Sequence, residues 1–210
     1  MTPRAIERFF RILAKEFGQR ATIILTGAAA GALWGHIRPS RDIDFGIMLA
    51  SRNRRTWDAF QAAVDRAIQH TGIQVNYTED LDRWGSISLL DWRHHTRPYW
   101  RFGVLEVRTL DPVYWSIGKL SRYFDLDVHD VVAVLQHERL PLRRLLAVWA
   151  KALKTSPHSP AVFQFRIQVE HFLRTHGRTI WGKRFDASAA IRDFHRAAGI
   201  RSSPTPFTSS

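Results

Sequence analysis

The stretch from Ile23 to Ile47, IILTGAAAGALWGHIRPSRDIDFGI, constrains the fold of this chain more than any other. It opens with an apolar, β-branched run, Ile23-Ile24-Leu25, which suits a buried strand. Thr26-Gly27 punctuates that run, and Ala28 to Trp34 is small and apolar enough to form a tightly packed helix. A polar, Pro-containing loop from His36 to Arg41 leads into a second strand, Asp42 to Leu49. Strand side chains alternate faces, so Asp42 and Asp44 point the same way while Ile43 and Phe45 enter a core. The two aspartates lie roughly 7 Å apart along the strand. That is close enough to hold one Mg²⁺, or a pair of ions about 4 Å apart that clamps a phosphoryl transfer. A lone Asp-x-Asp is more often just a polar strand end. Here the preceding Gly turn adds weight, because the first turn of the small helix offers backbone N–H groups to phosphate.

Helical periodicity appears before and after this unit. Ile6, Phe9, Phe10, Ile12, Leu13 and Phe17 predict an amphipathic helix over residues 4–18, ended by Gly18. Thr56 is placed to cap a helix through Trp57, Phe60, Ala63, Val64, Ala67 and Ile68 that Gly72 terminates. Ile73 to Tyr77 alternates as a third strand, and Thr78 to Gly85 reads as an acidic loop. Ser86 to Asp91 reads as a short strand ending in a carboxylate. Trp92 to Arg101, WRHHTRPYWR, reads as a basic aromatic loop suited to gripping an RNA end or to lying on the surface. His94 and His95 are adjacent and lack the spacing that puts two ligands on one helix face. Asp111 caps and Pro112 opens the next helix. From Leu140 onward only helices are predicted, with Pro141 starting one and Ala161 to Thr175 forming another. A break is expected at Gly177 to Gly182, then a last helix over Asp186 to Ala198. Residues 201–210 are Ser/Thr/Pro-rich and read as a disordered tail.

Composition bounds the partners. Lys and Arg number 31 against 19 Asp and Glu, a net charge of +12 that favours a polyanion such as RNA. Eight tryptophans offer stacking surface for unpaired bases. The plainer reading of both is an arginine-rich composition spread over the whole surface. There are no cysteines, which excludes disulfides and thiol-bound zinc. No run reaches the 18 or so apolar residues of a membrane span, so the expectation is a soluble cytoplasmic protein with no membrane partner.

Gly27-Ala28, followed by Arg38-x-Ser40-x-Asp42-Ile43-Asp44-Phe45, resembles the signature of nucleotidyltransferases with the polymerase-β-like fold. Within that superfamily the likeness is to the minimal, AbiEii-like enzymes of toxin–antitoxin and phage-defence systems. Lys119-Leu120-x-Arg122, then Asp127-x-x-Asp130, resembles that family's second signature. Ala28 departs from the usual glycine or serine, which removes a side-chain contact but leaves the backbone contact. The resemblance covers about residues 20–135. It implies an α/β nucleotidyltransferase fold over 1–137, a small mixed sheet flanked by helices; the helical C-terminal module over 138–200 is read from its own helical pattern and not from the resemblance.

The same resemblance implies a site. Asp42 and Asp44 would hold Mg²⁺ or Mn²⁺, and Gly27, Ala28, Ser40 and Arg41 would cradle the phosphates of a nucleoside triphosphate. Lys119 would neutralise the triphosphate, Asp127 would assist at the metal or hydroxyl, and Asp130 would be structural, capping or pairing with Arg122. Such transferases need a third acid to complete the metal site and draw the proton from the attacking hydroxyl. Asp91 is chosen for that role and for the metal, with Glu106 its rival and a strand-end acid paired to arginine the plain alternative for either. The implied reaction moves a nucleoside monophosphate to a hydroxyl, with the tRNA 3′ end favoured over a protein or an antibiotic. A cognate antitoxin is the implied partner. The competing expectation is an inactive relative that binds nucleic acid or a partner protein. Convergence of Asp42, Asp44 and one further acid is the geometry that separates the two.

Overall fold

The computed structural model describes residues 1–35, 41–51, 53–89 and 91–200. Ser40, most of the loop before Asp42 and the 201–210 tail lie outside the described residues. In chain order the elements are α1 (Pro3–Phe17), β1 (Ala21–Thr26), α2 (Gly27–Leu33), β2 (Asp42–Leu49), α3 (Arg54–Thr71) and β3 (Gln74–Thr78). There follow β4 (Thr96–Phe102), β5 (Leu105–Leu110), α4 (Pro112–Arg122), α5 (Asp125–Glu138), α6 (Leu142–Thr155), α7 (Pro160–Trp181) and α8 (Ala187–Ala198). The architecture is α/β, with a five-stranded mixed sheet in the order β3-β2-β1-β5-β4. The β1/β2 and β4/β5 pairs are antiparallel, while β1/β5 and β2/β3 are parallel.

Alternation along β2 sets the two faces of the sheet. Ile43, Phe45 and Ile47 are buried against α1 and α3, where Phe45 meets Phe10 and Phe60 edge-on at centroid distances of 5.7 and 6.5 Å. Asp42, Asp44 and Gly46 face the other way. That second face is roofed at Gly46 by Leu81 and Trp92, which a Cβ on Gly46 would meet at 3.1 and 3.0 Å. A glycine here lets the roof sit down on the strand.

Local signals place most helix ends. Gly18 and Gly72 close α1 and α3 in the left-handed region, with φ of 63° and 70°. Asp111 caps α4 by accepting the Val113 amide at 3.0 Å. Four expectations change. Asn53, not Thr56, caps α3, its side-chain oxygen accepting the Thr56 N–H at 2.8 Å; Thr56 itself is buried in the first turn. Ser86 to Leu89 is not a strand, because its amides are met by side chains: Ser88 N–H goes to the Ser156 hydroxyl and Leu89 N–H to the Asp82 carboxylate. Most of the basic aromatic segment is not a loop. Thr96–Phe102 is a strand paired with β5, and Trp92 is core at 1% exposure. Finally, α7 runs through Gly177 to Trp181. Gly177 is there because Phe185 packs on it, a Cβ coming within 2.0 Å of the ring.

The helices after residue 138 pack on α4 and α5. Trp149 donates from its indole N–H to the Ser116 hydroxyl at 2.9 Å, and Arg144 reaches Asp111 at 2.9 Å. Buried Trp115, Ile117, Trp149 and Phe172 belong to one continuous core with the sheet. No helix of the described residues is long and apolar enough to cross a membrane.

Candidate functional site

Asp44 sits in the middle of three strands, opposite Thr26 on β1 and Asn76 on β3. Asn76 donates its side-chain amide to Asp42 Oδ2 at 3.1 Å and to Asp44 Oδ1 at 3.0 Å, so one residue spans both carboxylates. Above them lies the turn at Gly27, whose φ is 61°. A Cβ on Gly27 would stand 2.3 Å from Asp44 Oδ2. The glycine of the first motif is therefore required twice, by its backbone conformation and by the approach of the carboxylate. Burial pushes the Asp44 carboxyl above its ordinary range; the Asn76 hydrogen bond opposes this, Asp42 adds to it, and the Arg122 and Lys119 charges oppose it.

The second motif comes from α4 and α5. Trp115 donates its indole N–H to the Gly27 carbonyl at 2.7 Å, which locks α4 beside the turn. Three and four residues on, Gly118 and Lys119 share the face of Trp115, and Ser121 and Arg122 continue it. Lys119 Nζ donates to Asp127 at 2.7 Å and to Asp130 at 2.8 Å, and is only 3% exposed. Arg122 donates from Nε and Nη2 to the same Asp127 at 3.0 and 3.1 Å while its side chain stays half exposed. Burial raises the Asp127 pKa, but the hydrogen bonds of Arg122 and Lys119 and their charges outweigh it, and the net shift is downward.

Residues of both motifs line one cleft. Asp44, Thr26 and Gly27 form one side, Lys119, Ser121 and Arg122 another, and the segment from Leu81 to Leu89 the third. Asp44, bridged to Asp42 by Asn76, thus lines the same cleft as Lys119 and Arg122. The donor set suits a hard cation. Magnesium is commonly held by one or two carboxylates with substrate phosphates completing its shell, and the amide nitrogen between Asp42 and Asp44 would rotate to present its oxygen.

Three acids were expected to converge, and among the described residues no group of three His, Cys, Asp or Glu side chains is placed to hold a metal. Asp91 is not beside the pair. It occupies a left-handed turn with φ 57°, is mostly exposed and lies 3.6 Å from Lys151 on α6. Glu106 shares the face of Asp44 but pairs with Thr22, four residues along β1 from the Thr26 that faces Asp44. That is about 13 Å away at strand rise, and Glu106 holds Arg108 instead. Asp127 is engaged by Lys119 and Arg122. Lys119 is corrected too: with two carboxylates on its ammonium, it supports the cleft wall, and Arg122 is the exposed cation. Asp130 is buried and accepts from Lys119 at 2.8 Å. Arg41 is exposed at the start of β2, and Ala28 lies half-buried in the first turn of α2.

Asn76, Trp115 and Arg122 are the residues that sequence reasoning undervalued. Asn76 was legible in principle, since a polar residue on a strand paired beside Asp44 shares its face. No family model, curated protein or solved structure matches the chain.

Proposed function

We propose that the cleft binds a nucleoside triphosphate with Mg²⁺ or Mn²⁺ and transfers its nucleoside monophosphate to a hydroxyl acceptor. The acceptor oxygen bonds to the α-phosphorus, the bond to the bridging oxygen breaks, and pyrophosphate leaves. One observation carries this reading: Asp44, joined to Asp42 through Asn76, lines the same cleft as Arg122 and Lys119. The motif likeness to AbiEii-like nucleotidyltransferases supports it. So does the match of charge, anionic oxygens for a cation beside cations for phosphate.

Each side chain then has a task. Asp42 and Asp44 would hold the divalent ion, which would supply Lewis-acid stabilisation of charge at the phosphoryl oxygens. Arg122 offsets phosphate charge directly, and Asp127 fixes its guanidinium. Lys119 keeps Asp127 ionised in the interior. The backbone of Gly27 and Ala28 is the natural seat for a terminal phosphate. The acceptor's proton is released to solvent.

A tRNA 3′ end fits the surface best as acceptor. Residues 138–200 hold twelve Lys and Arg against four Asp and Glu, a net +8 of the chain's +12. The α6 helix in this module adjoins the cleft wall through Ser156 and Lys151. A cytoplasmic toxin–antitoxin or phage-defence role, with a cognate antitoxin as partner, follows from the same likeness. The competing reading, a nucleotide- and RNA-binding protein without transfer, is the one that the expected convergence of three acids favours, because among the described residues Asp91, Glu106 and Asp127 each hold a cation instead of completing the pair.

Incubation with Mg²⁺, each labelled nucleoside triphosphate and total bacterial tRNA, beside an Asp42→Ala/Asp44→Ala control, separates them. Label in RNA with the unsubstituted protein alone is the expected result. Label in protein moves the acceptor and keeps the chemistry. Salt-dependent tRNA binding without label establishes the competing reading.

A further inference from the structure

The cleft lining is part polar and part apolar. Asp44, Gly27 and Arg122 make up the polar part, and Leu81, Trp84, Ile87 and Leu89 the apolar part. Of the eight tryptophans, all within the described residues, seven are buried or half-buried, and Trp92, Trp115 and Trp149 are in the core. Trp84 is the exception, at 44% exposure. An exposed aromatic alone means little. This one stands on the wall of the cleft that Asp44, Lys119 and Arg122 also line.

The segment carrying it is held in shape from both sides. Leu81 and Trp92 are seated on Gly46, and Ile87 is 2% exposed. The Asp80 side chain accepts the Asp82 N–H at 3.3 Å, and the Asp82 carboxylate accepts the Leu89 N–H. Between these anchors Arg83, Trp84, Gly85 and Ser86 are exposed. The indole is thus carried on a short 3-10 turn, Leu81–Trp84, that the core pins down. An accessible aromatic face in the same cleft as Asp44 and Arg122 is suited to a nucleotide's base.

We propose that Trp84 is the stacking platform for the base of the nucleotide whose phosphates lie beside Asp44 and Arg122. The proposal rests on reading the cleft as a nucleotide site, and extends it to a base-binding subsite. Every nucleobase has a π face, so the platform adds affinity for all four and leaves choice among them to groups at the base edge.

The test is calorimetric titration of the full chain, in Mg²⁺, with each of the four nucleoside triphosphates and with inorganic tripolyphosphate. Trp84→Ala is expected to lose about 10- to 100-fold in affinity for the nucleotides, the range of base–aromatic stacking. Tripolyphosphate binding stays unchanged, and Trp84→Phe recovers most of the loss. Thermal melting, unchanged for an exposed side chain, shows that the variants fold. If Trp84→Ala binds nucleotides as the unsubstituted protein does, while Asp42→Ala/Asp44→Ala does not, the platform falls and the nucleotide site stands. Equal affinity of the unsubstituted protein for tripolyphosphate and nucleotides also overturns the platform. Binding of neither overturns the platform and the nucleotide site together.

Discussion

Three residues concentrate the constraints of the site. Gly27 has no room for a side chain, with Asp44 Oδ2 2.3 Å from where a Cβ would stand and φ at 61°. Gly27→Ala is expected to cost about 1–3 kcal/mol of stability, as overpacking does, and to abolish Mg²⁺-dependent nucleotide binding by moving Asp44. Chemical denaturation read beside calorimetry checks both. Lys119 is the second. Its ammonium lies between Asp127 and Asp130 at 2.7 and 2.8 Å, all three nearly inaccessible. Lys119→Met leaves two buried carboxylates without that cation, and a loss of about 3–5 kcal/mol is expected in urea unfolding. The third is Asp127, whose pKa is depressed in the folded chain. Its ion pairs stabilise fully above the ordinary Asp pKa of about 3.9. That contribution is lost as pH falls from there through the lower folded value. Asp127→Asn should therefore lower stability at neutral pH and flatten the acid limb of a stability–pH profile.

At the scale of elements, position in the core decides more than propensity does. The α7 helix continues through Gly177 because Phe185 packs where a side chain would be. Gly177→Ala, which raises helix propensity by about 1 kcal/mol in an exposed helix, is expected to destabilise this protein instead. A fall in melting temperature checks it, and a rise would show that Phe185 swings away freely. The cap of α3 is a gentler case. Asn53→Ala removes the acceptor for the Thr56 amide and should cost about 1 kcal/mol.

Charge belongs to the whole molecule. The excess in residues 138–200 includes Arg143 and Lys154 on α6, exposed and away from the cleft lining. With tRNA as the polyanion, log affinity should fall linearly with log salt. Arg143→Glu/Lys154→Glu should weaken tRNA binding and reduce that slope by about 1–2, leaving nucleotide binding unchanged. Filter binding over a salt series measures it. An unchanged slope would move the RNA surface off α6.

Nearest-neighbour chemistry settled much of this protein in advance. The run before Gly27, the alternation that puts Asp42 and Asp44 on one face, and the caps at Gly18, Gly72 and Asp111 are all local events. Strand pleat and φ preference act over a few residues, so they are legible without a fold. The third acid was not local. Asp91 and Glu106 each looked suited to the role in their own segments. Strand register set Glu106 about 13 Å along the sheet, and side chains from elsewhere drew Ser86 to Leu89 out of any ladder. Lys119 and Arg122 likewise exchanged places in the reading, because only packing of α5 on α4 shows which cation is enclosed by carboxylates and which is open to the cleft. Periodicity determines which residues share a face. Register, and the packing of elements distant in sequence, determine what that face meets.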